Sequence, residues 1–131
     1  MKSVPLDFQD LLQDETKSFA ILGTLMPDNS PQVTPVWFNV EGEHILINTA
    51  KGRQKDRNMR ARPQVAMTIL DPKRPYRYLQ IRGEVVGSTE EGAAEHISFL
   101  SRKYRGHDFT IPKGQVRVTY KILPKFVSSE A

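Results

Sequence analysis

The chain contains no cysteine. That excludes disulfides, thiolate nucleophiles and every zinc or iron–sulfur site built on sulfur. It also fits a cytoplasmic protein better than a secreted one. Histidine is scarce, and His44, His96 and His107 stand too far apart to form a ligand pair at helical or hairpin spacing, so no metal is expected. No apolar run approaches the roughly 18 residues that a membrane-spanning helix needs. Met1 to Asp7 turns acidic too early for a secretory signal. Neither a membrane partner nor export is expected. Repeats and low-complexity segments are also missing, and nothing reads as a linker. With 38% hydrophobic and 26% charged residues the chain belongs to neither the disordered nor the membrane class. Its 131 residues predict one domain, 1–131, able to bury about two-thirds of the surface its unfolded chain exposes.

Positive charge is present but local. The whole chain carries 19 basic and 15 acidic residues, a net charge of +4. Lys51, Arg53, Lys55, Arg57, Arg60 and Arg62 lie within twelve residues against the single acid Asp56. Outside that stretch acids outnumber bases by one. A local cluster points to an anion held at one place, not to a polycation. Nucleic acid is disfavoured for the same reason, and Tyr76 and Tyr78 beside Arg74 and Arg77 read equally well as an edge strand.

Periodicity predicts a mainly β chain. A helix is expected over Pro5–Glu15, where Pro5 can open a first turn. Strands are expected at Ser18–Met26, Gln32–Val40, His44–Thr49, Gln64–Leu70, Tyr78–Val86 and Gln115–Val127. The first three should form a meander, with Pro35 marking an edge or a bulge. Ala50–Arg62 reads as a helix ending before Pro63. A second helix should follow a capping box at Ser88-Thr89-Glu90-Glu91, with Ala93, Ile97, Leu100 and Tyr104 on its apolar face and His96 exposed. Six antiparallel strands with short connections suggest a small barrel with flanking helices.

Chemistry concentrates where the third strand meets the first long helix, in Asn48-Thr49-Ala50-Lys51-Gly52-Arg53-Gln54-Lys55-Asp56-Arg57-Asn58. A helix start stabilises an anion through its free N–H groups and partial positive charge. Arg53 can fork onto phosphate oxygens, and Lys55 adds a point charge. The alternative is a solvated basic helix. Pro35-Val36-Trp37-Phe38 holds the only Trp, on a strand with unpaired backbone groups that would suit a flat heterocycle. Core packing is the alternative there, and it is preferred for Phe38.

These stretches, with Tyr76-Arg77-Tyr78-Leu79-Gln80-Ile81-Arg82-Gly83, resemble the split-barrel flavoproteins related to pyridoxamine 5′-phosphate oxidase, and within them the coenzyme F420-dependent branch. The resemblance spans nearly the whole chain. It implies a six-stranded antiparallel split barrel of the FMN-binding kind, paired as a homodimer with cofactor at the subunit interface. It implies Arg53 and Lys55 on the cofactor phosphate with a hydroxyl from Thr49. Pro35, Val36 and Trp37 would lie along the ring system, and Tyr78 and Gln80 would face the other subunit's cofactor. Asn48, Lys51 and Gln54 complete the expected cofactor-binding set. The implied activity is hydride transfer between F420 and a small organic acceptor, with the chemistry borne by the cofactor and no catalytic side chain required. The alternatives are an FMN-dependent oxidoreductase or a non-catalytic carrier of flavin, F420 or haem. Arg57, Arg60, Lys73 and Arg74 are candidates for the anionic F420 tail. The last residues, Lys121 to Ala131, lack the Trp- and Arg-rich run of the oxidase itself, so oxidation of vitamin B6 is not expected.

Overall fold

Every residue from 1 to 131 is described by the computed structural model. Two 3-10 turns, Leu6–Leu12 and Asp14–Thr16, precede strand β1 (Phe19–Leu25). There follow β2 (Pro31–Val36), β3 (Asn39–Glu41), β4 (His44–Ala50), helix α1 (Gln54–Ala61), β5 (Gln64–Leu70), β6 (Tyr78–Thr89), helix α2 (Ala93–Arg105) and β7 (Arg117–Glu130). The strands make one antiparallel sheet in the order β2-β1-β5-β6-β7-β4-β3.

That order forces the shape. The two edge strands, β2 and β3, are neighbours in sequence, joined only by Trp37 and Phe38. Two linking residues span at most about 11 Å between flanking Cα atoms, so the sheet curls until its edges nearly meet. The result is a barrel split along one seam. It has seven strands where six are expected, because Gln32–Val40 breaks in two. The three-strand meander does not form: β2 pairs with β1, β3 with β4, and the two edges do not pair with each other. At the break Phe38 is fully buried, and α2 supplies the polar partners a neighbouring strand would have supplied. The Lys103 ammonium donates to the Phe38 carbonyl at 2.6 Å. The Tyr104 hydroxyl accepts the Phe38 N–H at 3.4 Å and donates to the Ser18 carbonyl.

Alternation fills the interior. Ala20 and Leu22 from β1, Ile45 and Ile47 from β4, Met67 and Ile69 from β5, Leu79 and Ile81 from β6, and Val118, Tyr120 and Ile122 from β7 point inward as one contiguous core. Each large apolar side chain buried there stabilises the fold by about 1.5–3 kcal/mol. Phe8, Leu11 and Leu12 close one end of that core from a 3-10 turn, where a regular helix is expected. The segment breaks because Gln13 is extended between the two turns. Gly83 marks the tightest approach of β6 to β7, since a Cβ there would lie 2.7 Å from the Leu123 carbonyl oxygen. The register shifts at that point.

The helices differ from expectation at their starts. Gly52, at φ 93°, turns the chain before α1, which begins only at Gln54. The Ser88–Glu91 capping box is absent: Ser88 and Thr89 end β6, and Gly92 at φ 76° opens α2. No helix is long and apolar enough to cross a membrane.

Candidate functional site

A cavity of about 460 Å³ lies where the split seam, α2 and the start of α1 converge. Its apolar wall is Phe19, Pro35, Val36, Trp37, Ile97, Leu100, Tyr104 and Phe109. Trp37 and Tyr104 stack with ring centroids 5.4 Å apart and planes 10° from parallel. The Arg105 guanidinium lies 4.7 Å from the Trp37 ring centre. The polar wall holds Asn48, Arg53, Lys55, Arg105 and Arg117, and no carboxylate lines the cavity.

The chain brings those cations together by different routes. Arg53 caps α1 and Lys55 sits in its first turn. Their helix start is pinned by buried Asp56, whose carboxylate accepts the Gly52 N–H at 2.8 Å, the Tyr120 hydroxyl at 2.5 Å and the Arg60 Nε–H at 3.1 Å. Burial works against the Asp56 anion, yet these donors hold its pKa below the usual carboxylate value. Arg117 arrives from the start of β7, about sixty residues further on. Its Nε–H donates to Asn48 Oδ1 at 2.9 Å and its Nη1 to Gln115 Oε1 at 2.9 Å. Both acceptors are neutral amides.

Three of these cations, Arg53, Lys55 and Arg117, lie close enough to repel one another and have no counter-ion. Burial, and then the Arg53 charge, pull the Arg117 pKa down to about 10. Burial, with Arg53 and Arg117 behind it, lowers that of Lys55. An anion placed among them would relieve both penalties. The site therefore fits a phosphate on electrostatic grounds, and the Trp37 side of the same cavity fits a flat apolar ring.

Six of the residues expected from sequence line this cavity: Pro35, Val36, Trp37, Asn48, Arg53 and Lys55. Thr49 does not. It follows Ile45 and Ile47 on the interior face of β4, and its hydroxyl is buried with no hydrogen-bond partner. Lys51 turns away to Glu90 at 2.9 Å. Gln54 bonds Asn58 and Arg57 within its own helix. Tyr78 and Gln80 lie on β6 outside the cavity, Gln80 beside Ile21, Val33 and Arg82 on the outer face of the sheet. Two of the four candidates for an anionic tail are engaged: Arg57 donates to the Gly52 carbonyl and to Gln54, and Arg60 pairs with Asp56. Lys73 and Arg74 give only their backbone N–H groups to Asp71, and their side chains stay exposed.

Sequence reading missed Arg117, Tyr104, Arg105 and Phe109 as site residues. Tyr104 is legible only as part of an apolar helix face. Arg117 carries a faint signal, a charge at the head of an alternating strand. His96 is not exposed as expected but half-buried between Asn39, Asn48 and Thr119.

A second cavity of about 450 Å³ opens between β1, β5 and β6, beside Gly23, Ala66, Gly83 and Phe126. It mixes Arg82 and Lys125 with Glu84, so it carries less uncompensated positive charge than the first. The first cavity is the better anion site.

Comparison with known proteins agrees with this architecture. Among solved structures, an F420 reductase is similar at 35% identity over 95% of this chain and 98% of that one, with a TM-score of 0.84. A conserved hypothetical protein from Mycobacterium tuberculosis shares the fold at 23% identity, 97% and 85% coverage and a TM-score of 0.74. HupZ from Group A Streptococcus does so at 16% identity, 96% and 93% coverage and a TM-score of 0.70. No curated protein matches. The family model described as pyridoxamine 5′-phosphate oxidase matches residues 8–126. With that match running from the first turn into the last strand, the chain belongs to the pyridoxamine 5′-phosphate oxidase family.

Proposed function

We propose that this protein is an oxidoreductase that binds coenzyme F420 in the seam cavity and passes hydride to a small organic acceptor. The observation that carries the reading is the convergence of Arg53, Lys55 and Arg117, free of any carboxylate, in a cavity whose wall also holds Trp37. The similarity to an F420 reductase at 35% identity supports the choice of cofactor. Arg53, Lys55 and Arg117 would hold the phosphate. Pro35, Val36 and Trp37 would lie along the ring system, with Trp37 held by its stack on Tyr104. The chemistry such a group supplies when bound is hydride transfer. The chain's own work is to bind it, orient it and exclude water from its face.

Residues 1–131 act as one domain, and two copies complete the site. Val33 and Phe126 are more than half exposed on the outer face of the sheet, next to Gln80 and Arg82. An isologous dimer through that face would cover them and carry Tyr78 and Gln80 toward the partner's cofactor.

FMN is the second reading, and charge favours it. Its phosphate monoester carries up to two negative charges, closer to the three clustered cations than the single charge of the F420 phosphodiester. Two of the four partners expected for the F420 tail, Arg57 and Arg60, are bonded within the protein.

Titration of the purified protein with F420 and FMN side by side tests both. Tighter binding of F420, followed by acceptor reduction with reduced F420, is the expected result. Tight FMN with F420 ignored transfers the reading to FMN, binding without turnover leaves a carrier, and failure of both to bind removes the cofactor reading.

A further inference from the structure

A partly buried hydrogen-bond chain runs from Arg117 away from the cavity through Asn48 and His96 to Asn39. Arg117 Nε can only donate, so the Asn48 atom 2.9 Å from it is the amide oxygen. The Ala93 carbonyl can only accept, so the Asn48 atom 2.9 Å from it is the amide nitrogen. That same nitrogen lies 3.1 Å from His96 Nδ1, which must therefore be the unprotonated, accepting nitrogen of the ring. The Thr119 hydroxyl, 3.2 Å away, can donate to the same atom. The ring proton is then left on Nε2, where Asn39 Oδ1 receives it at 2.7 Å. Every polarity in the chain is consistent with one tautomer of a neutral imidazole, and burial favours the neutral form.

We propose that His96 is a positioning residue for the anion site: its Nδ1 lone pair, with the Ala93 carbonyl, holds the Asn48 amide one way round, so that Asn48 presents oxygen to Arg117 and the guanidinium is fixed without losing its charge. Flipping Asn48 would set its NH2 against the Arg117 donor and its oxygen against the Ala93 carbonyl, two repulsive contacts at once. A carboxylate in place of Asn48 would orient Arg117 as well but would also neutralise it. His96 thus secures, from β3 and α2, the direction of a cation carried on β7. The functional meaning rests on the reading of the cavity as a phosphate site; the hydrogen-bond chain itself does not.

The test uses the ¹⁵N-labelled full chain, first without any cofactor. Long-range imidazole spectra should show His96 as the Nε2–H tautomer, and the Arg117 Nε–H, assigned by its loss in Arg117→Lys, should exchange slowly with water. His96→Leu removes the acceptor and should speed that exchange at least roughly tenfold. His96→Asn, whose amide oxygen falls near the position of Nδ1, should restore much of the protection. Binding is then measured for FMN against riboflavin and for F420 against its phosphate-free deazaflavin. His96→Leu should weaken the phosphorylated member of a pair roughly tenfold and leave the phosphate-free member unchanged, with His96→Asn in between. A wild-type ring protonated on Nδ1, an Arg117 Nε–H indifferent to His96→Leu, or equal weakening of both members of a pair would overturn the proposal. A wild-type protein that prefers neither phosphorylated compound would instead sink the phosphate reading, while the spectra still decide the role of His96.

Discussion

Arg77 and Arg117 are two arginines with little surface exposed, and they are held in opposite ways. Arg77 bonds the carboxylates of Asp10 at 2.7 Å and Asp71 at 3.0 Å and ties the first 3-10 turn to the β5–β6 connection. The Asp10 hydrogen bond, and after it that of Asp71, raises its pKa. Arg117 bonds two neutral amides, Asn48 and Gln115, and its pKa is pulled down to about 10. A cation locked to carboxylates contributes to the fold and is spent there. A cation locked to amides keeps its charge for something not yet bound, at a cost to stability. Within the basic segment Lys51 and Arg60 meet the carboxylates of Glu90 and Asp56, Arg57 and Arg62 bond only neutral carbonyl and amide oxygens, and Arg53 and Lys55 find no acceptor at all.

The sharpest way to break this comparison is to remove each arginine in turn. Arg117→Met should weaken binding of the phosphorylated cofactor by about 2–3 kcal/mol, the scale of a charge-assisted hydrogen bond, with stability in urea unchanged or slightly raised. Arg77→Met should do the reverse, costing about 1–2 kcal/mol of stability with affinity untouched. If both variants lose stability alike, the distinction between the two arginines fails. Lys55→Met, at a half-buried position, should cost about 1.5 kcal/mol of affinity by titration. Arg53→Ala, at an exposed one, should cost about 0.5–1 kcal/mol and lose most of that effect in high salt.

A comparably small effect concerns pH. Burial lowers the His96 pKa from 6.5 to about 4, against the opposing pull of Glu41. The unfolded chain therefore takes up a proton between those values that the folded chain refuses. Stability should be flat above pH 7 and fall as pH drops from 6.5 toward 4, by about 1 kcal/mol between pH 7 and pH 5 after allowance for partial exposure. His96→Asn should flatten that part of the urea-midpoint profile. A slope unchanged in the variant would assign it to other groups.

Local signals were strong where one strand or helix decides the outcome. Gln64–Leu70 alternates, lies between Pro63 and Asp71-Pro72, and forms β5 with those bounds. The apolar face of α2 and its stop at Gly106 read equally well. Pro35, Val36, Trp37, Asn48, Arg53 and Lys55 come together because they flank the seam and the β4–α1 corner, which are near in sequence. What was not legible depends on closure of the sheet. The break at Trp37-Phe38 is invisible in a continuous alternating pattern, since it is set by α2 side chains more than sixty residues away. Arg117 joins the cluster only because β7 pairs with β4, opposite Ala50. Thr49 was misread for a subtler reason: at a period of two, one residue's displacement from Asn48 moves a side chain from the cavity to the core.

The central claim is that neutral acceptors leave the Arg117 charge available. Gln115→Glu tests it most directly, because it keeps the side-chain length and the hydrogen bond and adds only a charge. The account predicts that the variant binds the phosphorylated cofactor roughly tenfold more weakly, about 1.4 kcal/mol, while its urea midpoint holds or rises. Affinity equal to that of the parent protein would contradict it.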